Sequence, residues 1–247
     1  MKIIRSYNKL INEIINLQIP FKIEIIDYVQ YDNFIYPMIA ISQISKMAKK
    51  TCVIVGGAHG DEYYAARILI KFLSEINKDY LEYYNLYIVP IINPFGYATG
   101  SRKNGIRQEV SSDSDFKRDS SIKELAILYE YIPSNIDLFI DVHGDTGKHY
   151  FYAYESKPEV IPSISEKALL ENDNILQYER VNTIYGEKVK NGVIYKPEKD
   201  KSIEDFMENL GIEYVVALEV PGKAEGQVRM KAGIAILHSL LKFYKEV

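Results

Sequence analysis

The 247-residue chain has one cysteine, Cys52. A single thiol excludes an intramolecular disulfide and any multi-cysteine zinc site, and within "TCVIV" it reads as a small buried strand residue. Long apolar runs are also missing, the longest being far short of the ~18 residues that span a bilayer. "MKIIRSYNKLINEIINLQI" has helical spacing with polar breaks instead of a signal peptide's uninterrupted core. A cytoplasmic protein with no membrane partner is expected. There is no basic excess either: the formal net charge is -4 and the lysines are scattered. That leaves no electrostatic footprint for nucleic acid and points to a small or neutral substrate. No internal repeat or low-complexity linker divides the chain, so residues 1–247 read as one domain.

Apolar residues make up 47% of the chain, enough for a real core. Residues 2 to 17 carry Ile, Leu and Tyr at helical spacing, Pro20 turns the chain, and "FKIEIIDYV" and "YPMIAISQI" read as paired strands. "TCVIV" is continuously apolar, as strands buried on both faces of a parallel sheet are. "YYAARILIKFLSEI" is an amphipathic helix and "NLYIVPIINP" the next strand, stopped by Asn93 and Pro94. Helix "SIKELAILYEYI", strands "IDLFIDVHG" and "IEYVVALEVPG", and helix "MKAGIAILHSLLKFY" complete the alternation. It predicts an α/β fold, a mostly parallel mixed central sheet with helices on both faces. Residues 100 to 121 are polar and aperiodic, and loops of that length in compact domains are usually functional or disordered.

Polar residues suited to chemistry stand at the carboxyl ends of separate strands: His59 and Glu62 after "TCVIV", Asn93, His143 after "DLFIDV", and Glu219 within "VVALEV". In an open α/β sheet those ends share one edge, where ligands bind. Gly56 and Gly57 let the chain leave its strand sharply, and an incipient helix brings His59 and Glu62, three apart, to one side. With His143, 84 residues later, they make a His₂Glu set of the kind that holds a catalytic zinc. Taken alone, His59 and Glu62 also fit a capping acid beside an incidental histidine, and Asp141 fits a strand residue that ends up solvated. Glu219 is harder to place as scaffold, because a carboxylate among aliphatic residues costs several kcal/mol to bury without compensation. His149 and His238 belong to no such pattern.

Five ordered motifs between residues 50 and 225 resemble the zinc carboxypeptidase superfamily, which includes succinylglutamate desuccinylases and aspartoacylases. "GGAHGDE" is similar to its first metal motif, "NPFGYATGSRKN" to its Asn-Pro-x-Gly segment followed by an arginine, and "DFKR" to Asp-Leu-Asn-Arg. "DVHG" is similar to the third-ligand motif and "LEVPG" to the segment with the catalytic glutamate. The resemblance implies one zinc per chain on His59, Glu62 and His143, with Glu219 as general base in amide hydrolysis. It implies further that Arg102 stabilises the oxyanion, Asp115 orients His59, and Arg118 holds a substrate carboxylate, with Arg107 a competitor for either arginine role. Asn93 and Lys117 join the substrate-binding set; Lys117 departs from the expected Asn and would meet a carboxylate as a point charge. Tyr195 stands where carboxypeptidases carry a mobile tyrosine.

The expected substrate is therefore a peptide with a free carboxylate, or an acylated amino acid in a deacylase; a non-catalytic relative is the third possibility. In the deacylase branch a β-rich segment follows the glutamate. Here 28 residues follow Glu219 and read as a loop plus a helix, which favours the peptidase. Retention of Glu219 with all three ligand candidates argues against loss of catalysis. The sequence carries no sign of oligomeric state.

Overall fold

Ser6 begins the first helix by accepting the amide of Lys9 on its side chain, and α1 (Tyr7–Ile15) then buries Tyr7, Leu10, Ile11 and Ile14 on one stripe. The structure, a computed structural model, describes residues 4–111, 116–159, 161–195, 199 and 201–247. A hairpin of β1 (Lys22–Tyr31) and β2 (Phe34–Gln43) leads to β3 (Lys50–Gly56), a 3-10 turn at Gly60–Glu62 and α2 (Tyr63–Glu75). Next come α3 (Lys78–Tyr83), β4 (Tyr84–Val89), α4 (Pro94–Thr99), α5 (Lys123–Tyr131), β5 (Leu138–Asp145), β6 (Tyr152–Ser156) and α6 (Ile164–Glu171). Short strands β7 (Thr183–Ile184), β8 (Glu187–Lys190) and β9 (Val193–Tyr195) precede α7 (Ile203–Asn209), β10 (Tyr214–Pro221) and α8 (Gly226–Lys245).

Among the described residues the strands form one ten-stranded sheet, ordered β1-β2-β4-β3-β5-β10-β6-β9-β8-β7. The adjacent central strands β4, β3, β5 and β10 are parallel, while antiparallel pairings with β2 and β6 flank them. This is the α/β arrangement expected from the alternating segments, with a parallel centre in a mixed sheet. Each long strand, helix α2 and helix α8 lies where periodicity put it. Helices α1 and α5 are likewise expected, whereas α3, α4, α6 and α7 and strands β6 to β9 do not register as periodic segments. β4 ends at Val89, four residues before the Asn93–Pro94 pair expected to stop it, and that pair instead starts α4: Asn93 caps it and Pro94 takes its first turn.

Period-two alternation divides the central strands between two layers. Cys52, Ile54, Ile140, Val142, Val216 and Leu218 pack in the core that includes α2 and α8. Val53, Val55, Phe139 and Val215 pack with Leu125 and Leu128 of α5 and Ile203 and Met207 of α7. Asp141, His143, Ala217 and Glu219 share the parity of this second face, and their polar ends lie past the apolar stretch covered by α5 and α7. No described helix is long and apolar enough to cross a membrane.

The turn after β3 needs glycine twice. Gly57 has a φ of 65°, a left-handed conformation that favours glycine. Gly60 lies against α4 so closely that a Cβ would fall 1.8 Å from the Gly96 carbonyl carbon. Gly60→Ala should therefore lower the denaturation free energy by roughly 1–3 kcal/mol or more, the scale of overpacking. Gly226→Ala, where a Cβ meets nothing within 4 Å, should stay within about 0.5 kcal/mol of wild type. Urea midpoints compare the two; equal midpoints would show that the Gly60–Gly96 approach is not tight.

Candidate active site

The turn after β3 delivers His59 and Glu62, and β5 delivers His143 to the same point. His59 Nδ1 is 3.0 Å from Glu62 Oε1, and His143 Nδ1 is 3.4 Å from Glu62 Oε2. All three side chains are nearly buried, and one ligand atom from each lies within 4.8 Å of the others. At metal–ligand distances near 2.0–2.1 Å, the edge of a tetrahedral site is roughly 3.3 Å. The three donors thus have the identity and spacing of a three-ligand site, and the residues fit a divalent ion such as zinc.

The far nitrogens of both rings are held. His59 Nε2 is 3.1 Å from Ser111 Oγ and 3.7 Å from Glu109 Oε2. His143 Nε2 faces Asp141 Oδ2 at 3.1 Å and Glu204 Oε1 at 3.4 Å. Such partners fix ring orientation at metal sites. Asp141 is fully buried against His143, which corrects its reading as a solvated strand residue. Its parity on β5, two before His143, was the available signal. Glu204 comes from α7, and nothing in the sequence tied that helix to the site. Asp115, expected behind His59, lies outside the described residues.

Glu62 is the electrostatic hub. Besides meeting the two imidazoles, it accepts hydrogen bonds from Arg102 Nη1 at 2.9 Å and the backbone N–H of Gly144 at 2.8 Å. Burial raises its pKa, but hydrogen bonds and charge from His143 and His59 outweigh this and hold it well below the usual carboxylate range. Burial also opposes a charged His143, yet Asp141, Glu204 and Glu62 together raise its pKa well above the ordinary imidazole value.

Parallel register places Glu219 beside His143, with Tyr152 opposite on β6. Burial, opposed by His143 and reinforced by Glu62, Asp145 and Glu204, pushes the Glu219 carboxyl up to about 8. Arg102 reaches the cleft from the polar loop expected to be functional. Asn104 braces that loop: it is buried, accepts two loop amides and contacts Glu124, which also receives the Tyr31 hydroxyl.

Several expected binding residues stand elsewhere. Asn93 is fully buried, and its amide donates to the carbonyls of Ala58 and Arg102 while its oxygen accepts from Gly96. It therefore braces the His59 and Arg102 loops and is closed to a substrate. Arg118 points outward to Glu130 at 2.7 Å, beside a surface hollow containing Glu24 and Asp27. Arg107 and Lys117 are exposed and line neither arm of the cleft. Tyr195 donates to Glu166 at 2.8 Å in a separate hollow beside α6. Tyr185, overlooked in the sequence, lines both arms of the metal cleft. It sits on the β7–β8 turn with a φ of 51° and donates to Asp145 Oδ2 at 2.6 Å.

No protein-family model and no curated protein sequence matches the chain. Solved structures do. A Shewanella amazonensis protein assigned as a metallopeptidase superposes with a TM-score of 0.79 at 22% identity, over 96% of this chain and 91% of its own. The chain has the zinc carboxypeptidase fold. A Pseudomonas aeruginosa metallo-carboxypeptidase gives a TM-score of 0.70 at 15% identity, covering 97% of this chain and 68% of its own. Bovine thrombin-activatable fibrinolysis inhibitor gives 0.69 at 14% identity, with 98% of each chain covered. At these identities the likeness is one of fold, and chemistry has to be argued from the cleft.

The elevated Glu219 pKa has a consequence for the metal-free protein. Its folded value, about 8, lies above the ordinary 4.5, so its stabilising contribution is complete below about 4.5 and is lost as pH rises through about 8. Glu219→Gln should flatten the decline in melting temperature between pH 5 and 8. Parallel wild-type and variant curves over that range would mean that Glu219 is not desolvated.

Proposed function

We propose that this protein is a zinc-dependent peptidase that hydrolyses the C-terminal amide bond of a peptide. The observation that carries this reading is the convergence of His59, Glu62 and His143 with Glu219 in one cleft of about 330 Å³. When bound, zinc supplies Lewis acidity, polarising the scissile carbonyl and bringing the pKa of water to about 7. Glu219 takes a proton from the attacking water and returns it to the leaving nitrogen. Its raised proton affinity suits both halves of that transfer.

Arg102, half-exposed and fixed on Glu62, presents a cation to the oxygen that gains negative charge in the transition state. Asp141 and Ser111 hold the ligand imidazoles, and Asn93 holds the two loops that carry His59 and Arg102. The hydroxyl of Tyr185 takes the substrate-facing place expected of Tyr195. The Pseudomonas neighbour was solved with (2-guanidinoethylmercapto)succinic acid and the bovine one with tick carboxypeptidase inhibitor. Both ligands support a peptide-like substrate here.

Metal analysis should show about one zinc per chain, with large losses in His59→Ala and His143→Ala. Glu219→Gln should keep its zinc while turnover falls by roughly two orders of magnitude or more. A fully active Glu219→Gln protein would remove the glutamate-base mechanism. A mass-spectrometric screen of peptides and N-acyl amino acids reads the substrate class, and turnover of N-acyl amino acids alone would make the protein a deacylase.

Arg118 gives a separate test. Because it pairs with Glu130 outside the cleft, Arg118→Ala should leave the ratio of kcat/KM for free-acid and amidated peptides within about twofold of wild type. A selective loss for free acids, on the tenfold scale of a charged hydrogen bond, would place Arg118 on the substrate carboxylate.

A further inference from the structure

Gly60 lies between the ligand candidates His59 and Glu62, and both of its backbone polar groups are held. Its N–H donates to the Ser101 carbonyl at 3.1 Å. Its carbonyl accepts from Arg5 Nη1 at 3.1 Å, and the same nitrogen donates to the Tyr97 carbonyl at 3.1 Å. One guanidinium nitrogen thus bridges the turn that carries two ligand candidates to the last turn of α4, where helix carbonyls have no partner inside the helix. The central carbon of the same guanidinium sits 4.1 Å from the ring centroid of Tyr63, the residue after Glu62. A planar cation can stack on a ring and donate along its edge at once, which a compact ammonium cannot.

Arg5 is itself anchored. The backbone N–H groups of Ile4 and Arg5 both donate to the Ala98 carbonyl, at 2.9 and 3.1 Å. Ser6 then caps α1, and Tyr7 meets the ring of Tyr97 edge-on. The segment before α1 is therefore pinned along α4 on both sides of the guanidinium.

Two functional segments meet at this junction. Ser101 adjoins Arg102, so the Gly60–Ser101 bond and the Arg5 bridge tie the His59–Glu62 turn to the segment that carries the oxyanion candidate. Asn93, fully buried, links the same two segments from within; Arg5, half-buried, links them nearer the surface. Without Arg5 the Gly60 carbonyl would be left to water, and the backbone between His59 and Glu62 would be free to rotate.

We propose that Arg5 is a positioning residue for the metal-binding turn, fixing the Gly60 carbonyl and through it the placement of His59 relative to Glu62. The proposal rests on the zinc-peptidase reading, because it takes His59, Glu62 and His143 as metal ligands. Its sign is distinctive. A positive charge outside the ligand set repels a divalent cation, so deleting Arg5 for its charge alone would strengthen zinc binding. Loss of the positioning bridge weakens it.

Zinc affinity of the full chain, read by competition with a chromogenic chelator, tests this without recourse to turnover. Arg5→Ala and Arg5→Lys should each weaken zinc binding by roughly tenfold, the low end of what groups behind metal ligands contribute. Lysine keeps the charge and loses the fork, so a wild-type affinity in Arg5→Lys would overturn the proposal. Affinity within about twofold of wild type, or tighter, in Arg5→Ala would do the same. Ile236→Val, in the buried face of α8, is the stability control: its urea midpoint should fall while zinc affinity holds. An equal loss of zinc affinity in Ile236→Val would mean that the Arg5 effect is general destabilisation.

Millimolar methylguanidine should restore zinc affinity to Arg5→Ala more than methylammonium does, and equal recovery with the two would reduce Arg5 to a charge and overturn the bridge. A wild-type protein that binds zinc but cleaves no peptide would remove the peptidase reading while the Arg5 comparison still stands. A wild type that binds no zinc would remove both.

Discussion

The carboxylate of Glu62 joins parts of the chain that are far apart in sequence. It lies between His59, three residues before it, and His143 on β5; it also accepts Arg102 from the long loop and the backbone N–H of Gly144. A nearly buried carboxylate is tolerated only when paired and hydrogen-bonded. Each of these partners therefore constrains the loop or strand that carries it. The close Gly60–Gly96 approach, the Asn93 bridges and the Asn104–Glu124–Tyr31 cluster hold those segments from behind.

The catalytic candidates form a graded electrostatic series within a few side chains. Glu62 is held in its charged form, whereas desolvation and neighbouring acids push Glu219 toward its protonated form. Two carboxyl groups with proton affinities driven in opposite directions suit two roles, ligand and proton carrier. Asp141 and Glu204 extend the series around the far side of His143. Burial raises the pKa of Asp141, while the His143 hydrogen bond and charge offset burial and lower that of Glu204. The surrounding cleft has a marked negative bias, although the molecule as a whole has a net charge of only -4.

Residue types and order made much of this legible. Continuous apolar runs identify the central strands, and polar residues directly after them put His59, His143 and Glu219 at one sheet edge. Alternation along β5 and β10 contains the facts that Asp141 and His143 share a face of their strand and that Ala217 and Glu219 share a face of theirs. It does not say that register makes those two faces the same. That follows from His143 pairing with Glu219 across the parallel β5–β10 ladder.

The sequence by itself determined the α/β alternation, the three ligand candidates and the base candidate, because each depends on residue type next to a strand or turn signal. Tertiary structure alone decided the surroundings. Asn93 became an internal brace because the Ala58 and Arg102 carbonyls converge on its amide. Arg118 turned to Glu130, and Tyr185 instead of Tyr195 reached the cleft because the β7–β8 turn crosses Asp145. Glu204 came to His143 because α7 packs on the β5–β10 face through Ile203 and Met207. Such contacts depend on how a short helix or turn docks across a long separation in sequence, and local periodicity contains no term for that.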